Sequence, residues 1–185
     1  GGSEGRGWDQ GVARLLDDAR NESLAQARAR ERWLQRQAAE GATFVGALLD
    51  LAESGVGVRV TLQGGRRHDG QIAGLGPDVA VLIDRGEHVV VHLAGTVSVR
   101  PHPAAAAAIA SGDRPAALDL TFGEVLGRMA AEEPEAALSL ISGEVVGGSL
   151  VSVGRDVVSV RVAPGAGGVV YCPLRSVASV RLRSG

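Results

Sequence analysis

The residues Arg66-Arg67-His68, just after a Gly-Gly pair, form the one local concentration of positive charge in the sequence. Adjacent guanidinium and imidazole groups can neutralise phosphate, so this cluster is a candidate nucleic-acid contact; a solvated turn explains it equally. Among the few aromatics, Tyr171 is suited to stack on a base, whereas Phe44 and Phe122 read as core. Asp78 and Asp156 can close turns by bonding nearby backbone N–H groups. The histidines, His68, His88, His92 and His102, lack zinc-site spacing, and His88 and His92 lie too far apart along a strand to share a metal easily. The lone Cys172 precedes Pro173 in an apolar run, the setting of a buried, inert thiol rather than a nucleophile. No Ser, His or Asp lies in a nucleophile-elbow context, and no Gly-rich segment ends in the Lys-Ser/Thr of a phosphate loop. No catalytic residue, metal or cofactor is expected, and the chain reads as a binding protein rather than an enzyme.

Composition narrows the partner classes. Hydrophobic residues are 45% of the 185, enough for a folded core, but aromatics are only 3%, so that core is aliphatic. The net charge is −2, and residues 43–100 hold five Arg against six Asp or Glu, leaving no basic excess for phosphate. Every basic residue is Arg, a bias that points to a GC-rich genome of the actinobacterial kind. No apolar run approaches the roughly 20 residues of a bilayer span, so no membrane association is expected. The opening Gly1-Gly2-Ser3-Glu4-Gly5-Arg6 has no signal-peptide apolar region. With a single Cys, this predicts a reducing, cytoplasmic setting.

The elements that would position these residues come in two copies. Thr43-Phe44 recurs as Thr121-Phe122, an offset of 78 residues. The same offset pairs Leu48 with Leu126, Leu62 with Leu140, Gly70 with Gly148, Gly76 with Gly154 and Asp78 with Asp156. Three extra residues in the turn 164–168 shift the offset to 81, which pairs Leu93 with Leu174, Ser98 with Ser179 and Arg100 with Arg181. An ungapped run broken once, at a turn, indicates a duplication. Each copy predicts a helix capped by Thr43 or Thr121. Five short strands follow, in the first copy Val58 to Leu62, Gln71 to Leu75, Val79 to Ile83, Val89 to Leu93 and Thr96 to Arg100. Strands this short, with Gly70 and Gly148 free to bend, suit a small barrel.

The run Val60-Thr61-Leu62-Gln63-Gly64-Gly65-Arg66-Arg67-His68-Asp69-Gly70-Gln71-Ile72 resembles the first signature of Sm and Sm-like (LSm) proteins, and Leu140 to Leu150 repeats it. The second signature is looser, as Leu93-Ala94-Gly95-Thr96-Val97 and Leu174-Arg175-Ser176-Val177. Tyr171-Cys172-Pro173 falls where the Hfq group of RNA chaperones carries Tyr-Lys-His. The whole chain also resembles an uncharacterised actinobacterial family with a helix and tandem barrels. The resemblance implies two tandem, five-stranded Sm-like β-barrels, each preceded by a helix, in a mainly β chain. It further implies RNA contacts at Asp78 and Asp156, in the acidic place of the base-binding loop, at His92 and Tyr171 in the Hfq-like place, and at Arg175 in the Sm turn. The chain departs from the pattern where no Asn follows either Asp, where Val91 replaces the Lys, and where Cys172 and Pro173 replace Lys and His.

The expected layout is a helical arm over 1–41, a first barrel over 42–100, a linker with a short helical piece over 101–119, and a second barrel over 120–185. The arm carries Val12, Leu15, Leu16 and Ala19 at helical spacing, then an Arg- and Glu-rich half anchored by Ala25, Trp33 and Leu34. It packs on the barrels or receives a protein partner. Two functions follow. The chain is an RNA-binding Sm-like protein whose barrels join edge to edge into a homo-oligomer, or a protein-interaction scaffold that kept the barrel and lost the RNA contacts.

Overall fold

The computed structural model describes residues 5–105, 115–163, 165 and 167–183. It divides into two compact units, Gly1–Thr43 and Phe44–Gly185. The first is one long helix, α1 (Gly5–Glu40), whose described side chains are all exposed, Leu24, Trp33 and Leu34 included. The face expected from Val12, Leu15, Leu16 and Ala19 lies outside the described side chains. Among the described residues no helix is long and apolar enough to cross a membrane.

In the second unit each sequence repeat builds a helix and five strands. The first gives α2 (Phe44–Glu53), β1 (Val58–Leu62), β2 (Arg67–Leu75), β3 (Val79–Asp84), β4 (Glu87–His92) and β5 (Thr96–Pro101). A two-residue strand, β6 (Ala116–Ala117), precedes the second set: α3 (Phe122–Ala130), β7 (Glu135–Leu140), β8 (Val145–Val153), β9 (Val157–Arg161), β10 (Val169–Pro173) and β11 (Val177–Leu182). The period-2 pattern fixes the strand faces: Val58, Val60 and Leu62 are buried while Arg59 and Thr61 are not. A reciprocal cap starts α3, where the Thr121 hydroxyl accepts from the Glu124 N–H and the Glu124 carboxylate accepts from the Thr121 N–H.

The two repeats share one register. Val58 faces Gly70 as Ala136 faces Gly148, and β2 is bulged between Ile72 and Gly74 where β8 is bulged between Leu150 and Ser152. Gly70 and Gly148 lie where the curved strand passes close to its neighbour. A Cβ at either would overlap a carbonyl oxygen, that of Ile83 or of Arg161.

The expectation of two separate five-stranded barrels is corrected here. The strands form one open sheet of eleven, ordered β10-β9-β8-β7-β11-β4-β3-β2-β1-β5, with β6 pairing in parallel on β2. Apart from β6 the pairings are antiparallel. Residue alternation and turn chemistry specify hairpins, but they do not say whether an end strand closes on its own repeat or on the next one. Here β11 takes β4 of the other repeat as its second neighbour. Within the stretch expected as a linker, Ala116–Ala117 adds to the sheet and the Leu118 N–H donates to the Leu75 carbonyl. The helical piece expected there shows only as a single turn over Pro103–Ala105, and residues 106–114 lie outside the described ones.

Two aliphatic cores interlock. That of the second repeat, built on Phe122, Leu126, Leu138 and Leu150, includes Val79 and Val90 of the first. That of the first, built on Leu48, Leu62 and Leu82, includes Ala178 of the second. Beneath α2 the first core keeps a small apolar void lined by Leu48, Val60, Ile72 and Ala80, at a place where the second repeat has Val158 in place of Ala80. Ala80→Val should therefore raise stability by up to about 1 kcal/mol, whereas Gly70→Ala should cost about 2 kcal/mol through overlap with the Ile83 carbonyl. Urea unfolding midpoints of both variants check the pair, and loss of stability in Ala80→Val would show that the void is already closed.

Candidate functional site

The densest polar cluster in the sheet lies at the joint between the repeats. β11 lies antiparallel on β4, with Ser179 opposite Val91, Val180 opposite Val90 and Arg181 opposite Val89. From β11 the Arg181 guanidinium reaches into the first repeat. It pairs with Asp84 at 2.5 Å and Glu87 at 2.8 Å, and its Nη2 lies 3.3 Å from His68 Nδ1. Arg181 can only donate, so Nδ1 accepts, and the ring proton stands on Nε2, 3.0 Å from Ser179 Oγ. His68 is 3% exposed and Ser179 is fully buried. Burial, with Arg181 close by, lowers the His68 pKa from 6.5 to about 4.

A second set of contacts closes the other end of the joint. The Asp78 carboxylate accepts from the N–H of Phe122, the first residue of α3, at 2.7 Å, a favourable place for an anion. The Phe122 ring stacks flat on His92, centroids 4.4 Å apart. His92 Nδ1 donates to the Val177 carbonyl at 3.1 Å, and its Nε2 stands 3.9 Å from Asp78. The turns also touch: a Cβ on Gly64 would overlap the Gly143 backbone, and one on Gly95 would press on Ala178.

The expected site residues thus part company. His68, Asp78 and His92 are drawn into the joint, where their polar groups have partners within the chain. Arg66 and Arg67 are exposed at the β1–β2 turn, so burial of His68 splits the basic cluster expected over 66–68. Asp156 and Arg175 are exposed, and Tyr171 is 70% exposed on β10. Cys172 is buried, which pushes its thiol pKa up and keeps it protonated. Among the described residues no three His, Cys, Asp or Glu are grouped to hold a metal.

No family model and no curated protein matches this sequence.

Sequence reasoning missed Asp84, Glu87, Ser179, Arg181 and the Phe122 stack. A signal was available. His68 aligns with Val146 and Asp84 with Val162, so buried or nearly buried places in the first repeat are polar where the second is apolar. Such a difference marks a contact that one repeat makes and the other does not.

Among the described residues the main strand path ends on two outer edges, β5 and β10, apart from the two-residue β6 that pairs only with β2. On β5, Val97 is 64% exposed, and on β10, Val169 and Tyr171 are exposed as well.

Because His68 takes up a proton more readily unfolded than folded, its contribution to stability is complete above about pH 6.5. It is lost as pH falls toward and through about 4. Between about pH 7 and pH 5 this group alone should cost about 2 kcal/mol, and His68→Val should remove that part of the slope. Urea unfolding of both proteins at the two pH values measures it; equal slopes would show that His68 is not the group responsible.

Proposed function

We propose that the chain is a non-catalytic assembly module that takes up extended strands of other protein chains at its open sheet edges. The observation that carries this reading is the pair of unpartnered edge strands, β5 and β10, each with apolar side chains left exposed. An edge presents a row of unpaired backbone N–H and C=O groups, to which a partner strand can hydrogen-bond while alternate side chains set specificity. Natural edges are usually blunted by Lys, by charge pointing inward or by proline; here β10 has no charge and a proline only at its end, and β5 has a single charge, Arg100, next to its terminal proline.

RNA binding is the second reading, supported by the Sm-like signature hairpins and by exposed Tyr171. It is weaker because His68, Asp78 and His92 are occupied by the joint and the net charge is −2. Little is then left to neutralise phosphate.

Tagged chain recovered from extract of its source organism should bring down protein partners that survive ribonuclease. Lys at Val97 and Tyr171 should remove them, since charge on an edge opposes strand addition. Arg66→Ala with Arg67→Ala should leave them in place. Partners lost to ribonuclease and to the Arg variants, but kept by the Lys variants, would overturn the reading in favour of RNA. Retention of A-rich, U-rich or structured RNA by the purified chain at low salt would do the same.

A further inference from the structure

We infer that the partner at these edges is a second copy of the same chain, joined head to tail, with β5 of one copy on β10 of the next in the register that β11 keeps on β4. The inference rests on the strand-uptake reading and supplies its partner. Because the chain is a tandem repeat, the two halves of the internal joint are each present a second time, turned outward.

The β11 half of the joint recurs at the β5 end. Ser179, Val180 and Arg181 correspond to Ser98, Val99 and Arg100; Ala178 corresponds to Val97, and Phe122 to Phe44. The bulge is repeated too: β5 pairs with β1 through Thr96 and Ser98, skipping Val97, as β11 pairs with β7 through Val177 and Ser179, skipping Ala178. The β4 half recurs at the β10 end, where Val89, Val90 and Val91 correspond to Val170, Tyr171 and Cys172, and Asp78 corresponds to Asp156.

Exposure follows this correspondence. Ala178, Phe122 and Val90 are fully buried by the internal joint, whereas Val97, Phe44 and Tyr171 are 64%, 43% and 70% exposed. Asp78 holds the first N–H of α3, while Asp156 stands exposed at the β10 end and Phe44 opens α2 at the β5 end. Joining the ends would set Ser98 opposite Cys172, Val99 opposite Tyr171 and Arg100 opposite Val170. It would also place the Asp156 carboxylate at the N-terminus of α2 and cover the exposed apolar side chains of both edges.

One component is absent at the ends. Arg181 meets Asp84 and His68 inside the chain, but Arg100 would meet Val162 and Val146, and Ser142 stands in the place of Gly64 where the internal turns touch. The contact between copies is therefore looser than the internal joint, reversible, and nearly indifferent to salt because no ion-pair network holds it.

Sedimentation of the full chain should show mass rising above the monomer as concentration approaches about 100 µM, with little change between low and high salt. Asp156→Ala should weaken that association about tenfold, the loss of one charge-assisted bond. Register is read by crosslinking in a Cys172→Ser background. Copies carrying Val99→Cys, mixed with copies carrying Tyr171→Cys, should form mixed disulfide dimers on mild oxidation, with few dimers in either variant alone. A single monomeric species throughout the range would overturn the inference, as would Tyr171→Cys copies crosslinking chiefly to each other, the mark of a symmetric edge pair. Were copies to stay monomeric while edge-dependent protein partners were still recovered from extract, this inference would fall and the strand-uptake reading would stand.

Discussion

Backbone N–H and C=O groups on a strand edge must find a partner or stay in water, and every interior strand of the sheet is arranged around that requirement. At β4 and β11 the requirement is met between repeats. Both strands carry fully buried valines, Val89 and Val90 on one and Val177 and Val180 on the other. Neither edge could therefore face solvent without exposing core. The joint also decides how the cores are made, since Val79 and Val90 complete the core of the second repeat and Ala178 that of the first. A unit of about 60 residues buries too small a share of its surface to be comfortably stable alone. Two such units sharing wall residues bury more than two units side by side.

Much of this was legible in the residues. The alternation in Val58 to Leu62, the turn at Gly64-Gly65 and the recurrence of Gly70 at Gly148 place the strands, and the shared bulges follow the same offset. These features are local, set by side-chain period and by φ/ψ preference, so a single sequence carries them. Closure is different. Whether β11 turns back on its own repeat or lies on β4 depends on contacts about 90 residues apart, between Val180 and Val90 or Arg181 and Asp84. No periodicity encodes that choice. For the same reason His68 read as a surface base beside Arg66 and Arg67: Arg66 stands in the turn, the His68 side chain points to the strand face opposite that of Arg67, and what lies there belongs to the other repeat.

The charged residues at the joint do more for its specificity than for its strength. Arg181 with Asp84 and Glu87 is partly shielded from water, so the desolvation of these groups offsets much of their attraction. What the set does is reject alternatives. A β4 edge that met β5 of another molecule would offer Asp84 and His68 to Arg100, yet it would have to give up Arg181, already held nearby by the linker at high effective concentration. Conversely, β11 placed on a β10 edge would bring Arg181 against Val162 and leave its guanidinium without a carboxylate.

Neutral imidazole is what lets His68 serve in that set. It accepts from Arg181 on one nitrogen and donates to Ser179 on the other, in a place 3% exposed. A lysine or arginine there could only donate and would repel Arg181, and a carboxylate there would set a third anion beside Asp84 and Glu87 around one guanidinium. Val146 occupies the matching place in the second repeat, where the apolar side chain packs into the core. One duplicated framework thus carries two chemistries at equivalent places. The polar one marks the edge that is always paired within the chain, and the apolar one marks the edge that is left open.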